Sequence, residues 1–203
     1  MNTPPPPPSQ RVQRACLNRT DKAIIVLSII CIVFIGSIGA LRILGLLNPF
    51  IYIPSASMAP TLSPGDHVVL ENFTFLRRKP RRGDIVVFRS DGIPVLQPAT
   101  IYDKRIVGEP GEHLRISDGK LYINDEYVVI TNSSGEINYT LTEQMKRFAH
   151  YDDVIIPKDQ YFVIGDNTTN SLDSRFFGCL HAEDIKGRIC FCLWPPKRFG
   201  EIK

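Results

Sequence analysis

The chain has 203 residues, a formal net charge of +3 and a hydrophobic content of 43%. This charge is too small to indicate a nucleic-acid partner, and none is expected. The length suits one compact domain with an anchor or two small domains, and the sixteen prolines and fourteen glycines favour a loop-rich β protein over a helical bundle.

The five cysteines and four histidines do not follow the spacing of a metal site. No two cysteines form a C-x-x-C pair, so we expect no metal and no other cofactor. Cys179, Cys190 and Cys192 lie close together in the sequence. They would allow one disulfide outside the cytosol, but burial as small hydrophobic side chains is at least as good an interpretation.

Residues 1–22 are predicted to be a proline-rich, basic tail. The stretch MNTPPPPPSQ cannot form a helix and is typical of disordered or polyproline segments. Four basic residues follow it, opposed only by Asp21: Arg11, Arg14, Arg19 and Lys22.

Residues 23–44 are predicted to form a transmembrane anchor. From Ala23 to Leu41 no residue is charged, and a helix of about 19 residues is ~28 Å long, close to the ~30 Å hydrocarbon core of a bilayer. A cleaved signal peptide is the alternative, but the apolar sequence continues past Arg42 without a clean small-x-small site. The basic residues before the span predict a cytoplasmic N-terminus and an extracytoplasmic domain over residues 45–203.

After the span the pattern changes to short segments rich in β-branched and aromatic residues. Four of them are DHVVLENFTF, DIVVFRS, KLYINDEYVVI and QYFVIGD, separated by turn pairs such as Pro64-Gly65. Only Leu141–His150 has a weak helical pattern. The sequence therefore predicts a mainly β, antiparallel domain without internal repeats.

The segment IPSASMAPTL places small hydroxyl residues between two prolines, which gives a rigid and exposed backbone. A nucleophilic serine such as Ser57 needs this exposure, and Ser55 is placed to bind an oxyanion. Taken alone, the segment is better explained as an ordinary turn, because loops rich in serine and proline are common.

A second segment, YDKRIVGEPG, contains Lys104 at the end of an apolar stretch. A buried lysine loses its proton readily because burial disfavours the charged form. Neutral lysine can then accept the proton of a serine. A solvated lysine on an edge strand is the alternative for any single lysine.

The polar segment GDNTTNSLDSR, residues 165–175, follows the predicted strand QYFVI. Its carboxylates, amides and hydroxyls can orient a catalytic group through hydrogen bonds, or can form a well-bonded surface loop.

These segments, in this order after a membrane span, resemble the bacterial type I signal peptidases. The matching blocks are PSASMAPTL, GDHVVL, YDKRIVGEPGE and GDNTTNSLDSR, and they extend over most of the chain after residue 50. The resemblance implies a serine–lysine endopeptidase. Ser57 would be the nucleophile, Lys104 the general base, Ser55 an oxyanion-hole donor, and Ser171 the residue that orients the Lys104 amine.

The resemblance also implies supporting and substrate-binding residues. Asp173 with Arg175, and Asp166 with Arg105, would form ion pairs that take no part in the chemistry. Four residues would form or border the pockets for small substrate side chains: Ile53, Met58, Tyr102 and Asp103.

The sequence departs from the family pattern at several positions. Asp103 and Glu109 replace residues that are usually apolar, and Thr168-Thr169 replaces an arginine–aspartate pair. If Asp103 reaches the substrate groove, its carboxylate raises the pKa of Lys104; alternatively it turns away and pairs with an arginine such as Arg105. The short stretch 112–160 predicts a reduced second β region.

The implied function is cleavage of signal peptides from exported preproteins after small-x-small motifs. The alternatives are a peptidase dedicated to one substrate, such as a conjugative pilin, and a noncatalytic membrane-anchored β module. The expected partners are preproteins and membrane lipid, with a monomer favoured.

The expected location is the bacterial plasma membrane, because a glycan on the Asn167 sequon would block the site, although an organelle without such glycosylation fits as well.

Overall fold

The computed structural model describes residues 18–43 and 50–202, with side chains left undescribed at 41–43. The chain separates into two compact units, residues 1–44 and 45–203. Most of the predicted proline-rich tail, residues 1–17, lies outside the described residues.

The N-terminal unit contains one helix, α1 (Arg19–Ile43), which starts four residues before the predicted span. Its segment Arg19–Ala40 has a mean hydropathy of 2.8 and is long enough to cross a membrane. The large apolar side chains from Ile24 to Ile38 are 38% to 69% exposed. A core helix of a soluble protein buries such side chains, so this helix fits lipid contact.

The second unit is built from short strands and a few helical turns. In the described residues the strands are β1 (Phe50–Tyr52), β2 (His67–Glu71), β3 (Ile85–Arg89), β4 (Ile101–Gly108), β5 (His113–Ser117), β6 (Lys120–Ile123), β7 (Glu126–Val128), β8 (Thr131–Asn132), β9 (Gly135–Glu136), β10 (Asp153–Ile155), β11 (Gln160–Ile164), β12 (Leu180–His181), β13 (Ile185–Trp194) and β14 (Gly200–Glu201). The helices are α2 (Glu143–Lys146) and α3 (Ser174–Phe177), with short 3₁₀ turns at Phe73–Leu76, Thr168–Asn170, Ala182–Asp184 and Pro196–Arg198.

The strands form one large and two small antiparallel sheets. The large sheet has the order β1-β2-β13-β3-β4-β11-β12, with β14 paired to β13. A second sheet, β10-β5-β6-β7, and the pair β8–β9 come from residues 113–155. The prediction of a mainly antiparallel β protein with one N-terminal apolar helix is confirmed, and the second β region is small, as expected.

Two predicted strands differ from the observed ones. KLYINDEYVVI is a hairpin, because Asn124 and Asp125 adopt φ values of 51° and 67° and form a two-residue turn between β6 and β7. The strand in DHVVLENFTF ends at Glu71, where a 3₁₀ turn begins with Phe73. The weak helical pattern at 141–150 gives only the four-residue α2.

The cysteines described outside α1 are free thiols. Cys190 and Cys192 lie two residues apart on β13, whereas Cys179 packs against the core of the second sheet. The possible disulfide is therefore not formed, and the alternative of small buried or half-buried side chains describes these residues.

The position of β4 between β3 and β11 determines where the polar segments meet. Val86 on β3 pairs with Lys104, and Ile164 on β11 pairs with Arg105. The segment that starts at Gly165 continues directly from β11. It therefore begins beside the two basic residues of β4.

Candidate active site

Ser57 lies on the loop between β1 and β2, and the core fixes this loop. Met58 and Leu62 are fully buried with residues of β2, β3 and β13. The loop closes on itself through Leu62 N, which donates to Met58 O at 2.9 Å. Because Met58 points into the core, the preceding residue Ser57 stays half-buried at the surface.

Lys104 reaches Ser57 from β4. In its protonated form the Lys104 Nζ donates to Ser57 Oγ at 2.9 Å and to the Asp103 carbonyl at 2.8 Å. The lysine is only 2% exposed. Burial lowers the pKa of Lys104, and the charges of Asp103, Asp173 and Asp166 oppose this shift. In the neutral form its lone pair can accept the Ser57 proton.

Ser55 lies on the same loop as Ser57 and is exposed. Its Oγ is 3.2 Å from the Oγ of Ser57. A hydroxyl at this distance can donate to an oxygen bonded to the carbon that Ser57 attacks. The position of Ser55 is therefore compatible with its predicted role as an oxyanion-hole donor.

Ser171 is buried and lines the same cleft as Ser57 and Lys104, but its Oγ has no hydrogen-bond partner in the described part of the chain. The expected hydrogen bond to the Lys104 amine is not formed. The close neighbour of Ser171 is instead Gly165: a Cβ added there would lie 2.7 Å from the Cβ of Ser171 and 2.5 Å from the carbonyl oxygen of Ser57, and would also collide with Ser171 Oγ. Only glycine fits between these two residues.

Asn167 holds the loop that carries Ser57. It was not identified from the sequence as a site residue. Its backbone N–H donates to Ser57 O at 3.0 Å, and its side-chain amide donates to Ala56 O at 3.1 Å. The available signal was its place directly after Gly165-Asp166.

The two expected ion pairs are both present. Arg105 binds Asp166 through two bonds, Nε to Oδ1 at 2.8 Å and a terminal nitrogen to Oδ2 at 2.7 Å, with both side chains almost fully buried. Thr61 Oγ1 also donates to Asp166 Oδ2. Asp166 thereby connects β4 to the loop that carries Ser57.

Arg175 forms a similar two-bond contact with Asp173, each bond 2.8 Å long. The Arg175 guanidinium also donates to the Thr168 carbonyl at 2.8 Å. Gly165 N donates to Asp173 Oδ2 at 3.2 Å. This pair therefore fixes the start of the segment that holds Ser57.

The four predicted substrate-binding residues differ in their positions. Tyr102 lines the cleft that contains Ser57. Ile53 and Met58 are 1% and 0% exposed in the core, where they support the loop that carries Ser57, and their contact with substrate stays a prediction.

Asp103 does not line the cleft around Ser57. Its cross-strand partner is Val87, which packs in the cluster that contains Met58, and cross-strand partners share a face of the sheet. It forms no ion pair with an arginine among the residues described, and its Oδ2 is buried without a hydrogen-bond partner. The alternative arginine partner of Asp103 is thus not found among the described residues, and its contact with substrate stays a prediction.

The cleft has a volume of about 770 Å³. Its polar lining residues are Ser55, Ser57, Lys104, Thr142, Gln144, Thr169, Asn170 and Ser171, and its aromatic and apolar ones are Tyr102, Met145, Phe148, Leu172 and Phe176. The described residues include no group of three or more His, Cys, Asp or Glu side chains that could hold a metal ion.

Comparison with known proteins shows the family of the chain. Residues 22–194 match the family model described as "Signal peptidase, peptidase S26". The chain belongs to this family. The resemblance to type I signal peptidases stated from the sequence is thereby confirmed.

Three relatives define its relation to known members. A protein named "Probable signal peptidase I-2" from Synechocystis is 37% identical over 73% of this chain and 64% of its own length. "Thylakoidal processing peptidase 1, chloroplastic" from Arabidopsis thaliana is 35% identical over 73% of this chain and 43% of its own length. "Inactive signal peptidase IA" from Staphylococcus aureus is 31% identical over 70% of this chain and 77% of its own length. The chain thus matches less than two thirds of the length of the first two.

Gly165→Ala should damage the site more than the fold. The added Cβ pushes Ser57 O and Ser171 apart, so we expect a loss of stability of about 1–3 kcal/mol and a fall in kcat of about tenfold or more. Chemical denaturation and peptide cleavage measure the two effects.

The matched control is Gly187→Ala. Its Cβ would lie 2.8 Å from Glu71 O on β2 and 2.9 Å from a Leu70 methyl group, a similar collision outside the cleft. It should lower stability while the folded protein keeps its kcat. Equal losses of kcat in both variants would contradict the role given to Gly165.

Proposed function

We propose that this protein is a membrane-anchored serine endopeptidase of the signal peptidase I type, which removes signal peptides from exported preproteins after small-x-small sites. The observation that carries the proposal is the 2.9 Å contact between Lys104 Nζ and Ser57 Oγ, made by a lysine that is 2% exposed. A buried lysine placed on a serine hydroxyl is a base for that hydroxyl.

The chemistry follows from these positions. Neutral Lys104 takes the proton of Ser57 as Oγ attacks the scissile carbonyl carbon. Ser55 Oγ and the Ser57 backbone N–H stabilise the negative oxygen that forms. Lys104 then gives its proton to the leaving amine, the C–N bond breaks, and the signal peptide remains as an ester on Ser57. Lys104 next takes a proton from water, whose oxygen attacks the ester carbon. The bond to Ser57 Oγ then breaks, Lys104 returns the proton to Oγ, and the signal peptide leaves as its acid.

The known relatives support a peptidase but do not decide catalysis. Two have names that describe peptidases, whereas the Staphylococcus aureus relative is named as inactive. Family membership alone therefore leaves a noncatalytic module as an alternative. The presence of Ser57 and Lys104 in hydrogen-bond contact favours the active enzyme.

Ser57→Ala and Lys104→Ala should each reduce kcat by about 10⁴-fold or more, because each removes one half of the dyad. Lys104→Arg should also lose cleavage activity, since a guanidinium keeps its charge and cannot act as a base. The measurement is cleavage of a preprotein with a small-x-small site by the full chain in lipid nanodiscs.

Lys186→Ala is the matched control, because Lys186 is exposed. Among the described groups, its amine donates a hydrogen bond only to the Glu183 carbonyl. It should cleave at the wild-type rate. Wild-type activity in Lys104→Ala would overturn the dyad, and no cleavage by the wild type of any preprotein tested would favour the noncatalytic alternative.

We further propose that α1 anchors the protein in a bacterial plasma membrane as a single span. The exposed apolar surface of α1 supports a lipid environment, and the basic residues before Ala23 support a cytoplasmic N-terminus. The named thylakoidal relative keeps an organelle membrane as the alternative. In both settings the peptidase unit acts on the side to which preproteins are exported.

Protease added to intact spheroplasts should digest residues after about 50 and spare the N-terminal tail, as the positive-inside rule requires. A tag at each end, followed by immunoblotting, measures this. Lysed spheroplasts are the control, in which both ends become accessible. A peptidase unit that is digested only after lysis would contradict the orientation.

A further inference from the structure

Thr168 lies where the polar segment 165–175 meets the second β region. It follows Asn167 directly and is only 6% exposed. It does not line the cleft around Ser57. It is also one of the positions at which the chain departs from the family pattern, which has an arginine there. The contacts of Thr168 therefore show how this chain holds the segment in place.

The Thr168 hydroxyl is bonded to a rigid acceptor. Its Oγ1 donates to the carbonyl oxygen of Asn138 at 2.7 Å. The two neighbours of Asn138, Ile137 and Tyr139, are 4% and 3% exposed and pack in the core cluster that contains residues of β5 and β6. The backbone N–H of Tyr139 also donates to Gly119 O at 2.8 Å. The core of the second sheet thus fixes the carbonyl to which Thr168 is bonded.

Thr168 in turn restrains Asn167, the residue that holds the loop that carries Ser57. The Thr168 carbonyl accepts a bond from the Arg175 guanidinium at 2.8 Å, so Thr168 is held through its backbone as well as its side chain. From the preceding position, Asn167 donates to Ser57 O and to Ala56 O. Because consecutive Cα atoms are only ~3.8 Å apart, a displacement of Thr168 also moves Asn167 and, through its two bonds, the loop.

Asn167 is restrained from both sides, and the two restraints lead to different sheets. On one side Asp166 binds Arg105 of β4, in the sheet that carries Lys104. On the other side Thr168 is bonded to the second β region. Loss of the Thr168 hydroxyl would leave the ion pair of Asp166 in place. The protein would then keep its fold while the loop that carries Ser57 lost one of its two restraints.

We propose that Thr168 is a positioning residue, whose hydroxyl fixes Ser57 relative to Lys104 by tying Asn167 to the core of the second sheet. This inference rests on the proposed function. A small displacement of a reacting pair slows the reaction strongly, so the hydroxyl contributes to the rate of the chemical steps. Thr168 does not line the cleft, so it contributes little to substrate binding.

The test replaces Thr168 by valine, which keeps the β-branched shape and removes the hydroxyl. In the full chain in lipid nanodiscs, Thr168→Val should lower kcat per folded molecule about five- to fifty-fold and leave KM within about twofold of wild type. The substrate is a preprotein with a small-x-small site. The pH at which kcat/KM rises should not shift, because no charge near Lys104 changes. Thr168→Ser keeps the hydroxyl and should recover most of the kcat.

Thr74→Val is the matched control. Thr74 is half-buried on another 3₁₀ turn, its hydroxyl donates to Glu71, and it does not line the cleft. The variant should keep the wild-type kcat even where it lowers stability.

An unchanged kcat in Thr168→Val, a change in KM alone, or an equal loss of kcat in Thr74→Val would overturn the positioning role. If Thr168→Val does not fold, Thr168→Ala takes its place: a kcat as high as that of Thr168→Ser would overturn the role, and a lower one would support it. No cleavage by the wild type, or cleavage that persists in Ser57→Ala, would instead count against the proposed function.

Discussion

The burial of the Lys104 amine is the constraint on which the rest of the site depends. A lysine can act as a base only if its surroundings disfavour the ammonium form. Three carboxylates, those of Asp103, Asp173 and Asp166, have the opposite effect. Arg105 binds Asp166 and Arg175 binds Asp173, and each arginine offsets the charge of its partner. The charge of Asp103, which has no arginine partner among the described residues, is opposed only by the burial that lowers the pKa of Lys104.

Asp166 and Asp173 also fix the loop that carries Ser57. Asp166 accepts a bond from Thr61 on the Ser57 loop, and the neighbouring Asn167 donates to Ser57 O. Asp173 accepts from Gly165 N, so that Gly165 fits between Ser57 and Ser171. Buried ion pairs are costly and add little net stability. These ion pairs instead position the Ser57 loop relative to Lys104. Such positioning matters because small displacements of a reacting pair slow the reaction strongly.

The sequence predicted the elements whose information is local. Short runs of β-branched and aromatic residues indicated β3 and β11, and the uncharged stretch indicated α1. The roles of Ser57 and Lys104, which came from the motifs, stay predictions. Contacts between segments that are distant in the sequence were harder to predict. The burial of Ile53 and Met58 depends on packing against β2, β3 and β13, which the local sequence does not show. Asn167 reaches the Ser57 loop only when β11 pairs with β4. The face occupied by Asp103 depends on its register with Val87, which no local pattern gives.

The most direct test of the account is titration of the Lys104 amine in the full chain. Nitrogen NMR of labelled lysine in lipid nanodiscs, with Lys104→Met to assign the signal, measures its pKa. The account predicts a pKa below the ordinary lysine value of about 10.4, and a kcat/KM that rises with pH through the same value as the neutral base forms. A Lys104 pKa at or above the ordinary value would contradict the buried neutral lysine and the mechanism that depends on it.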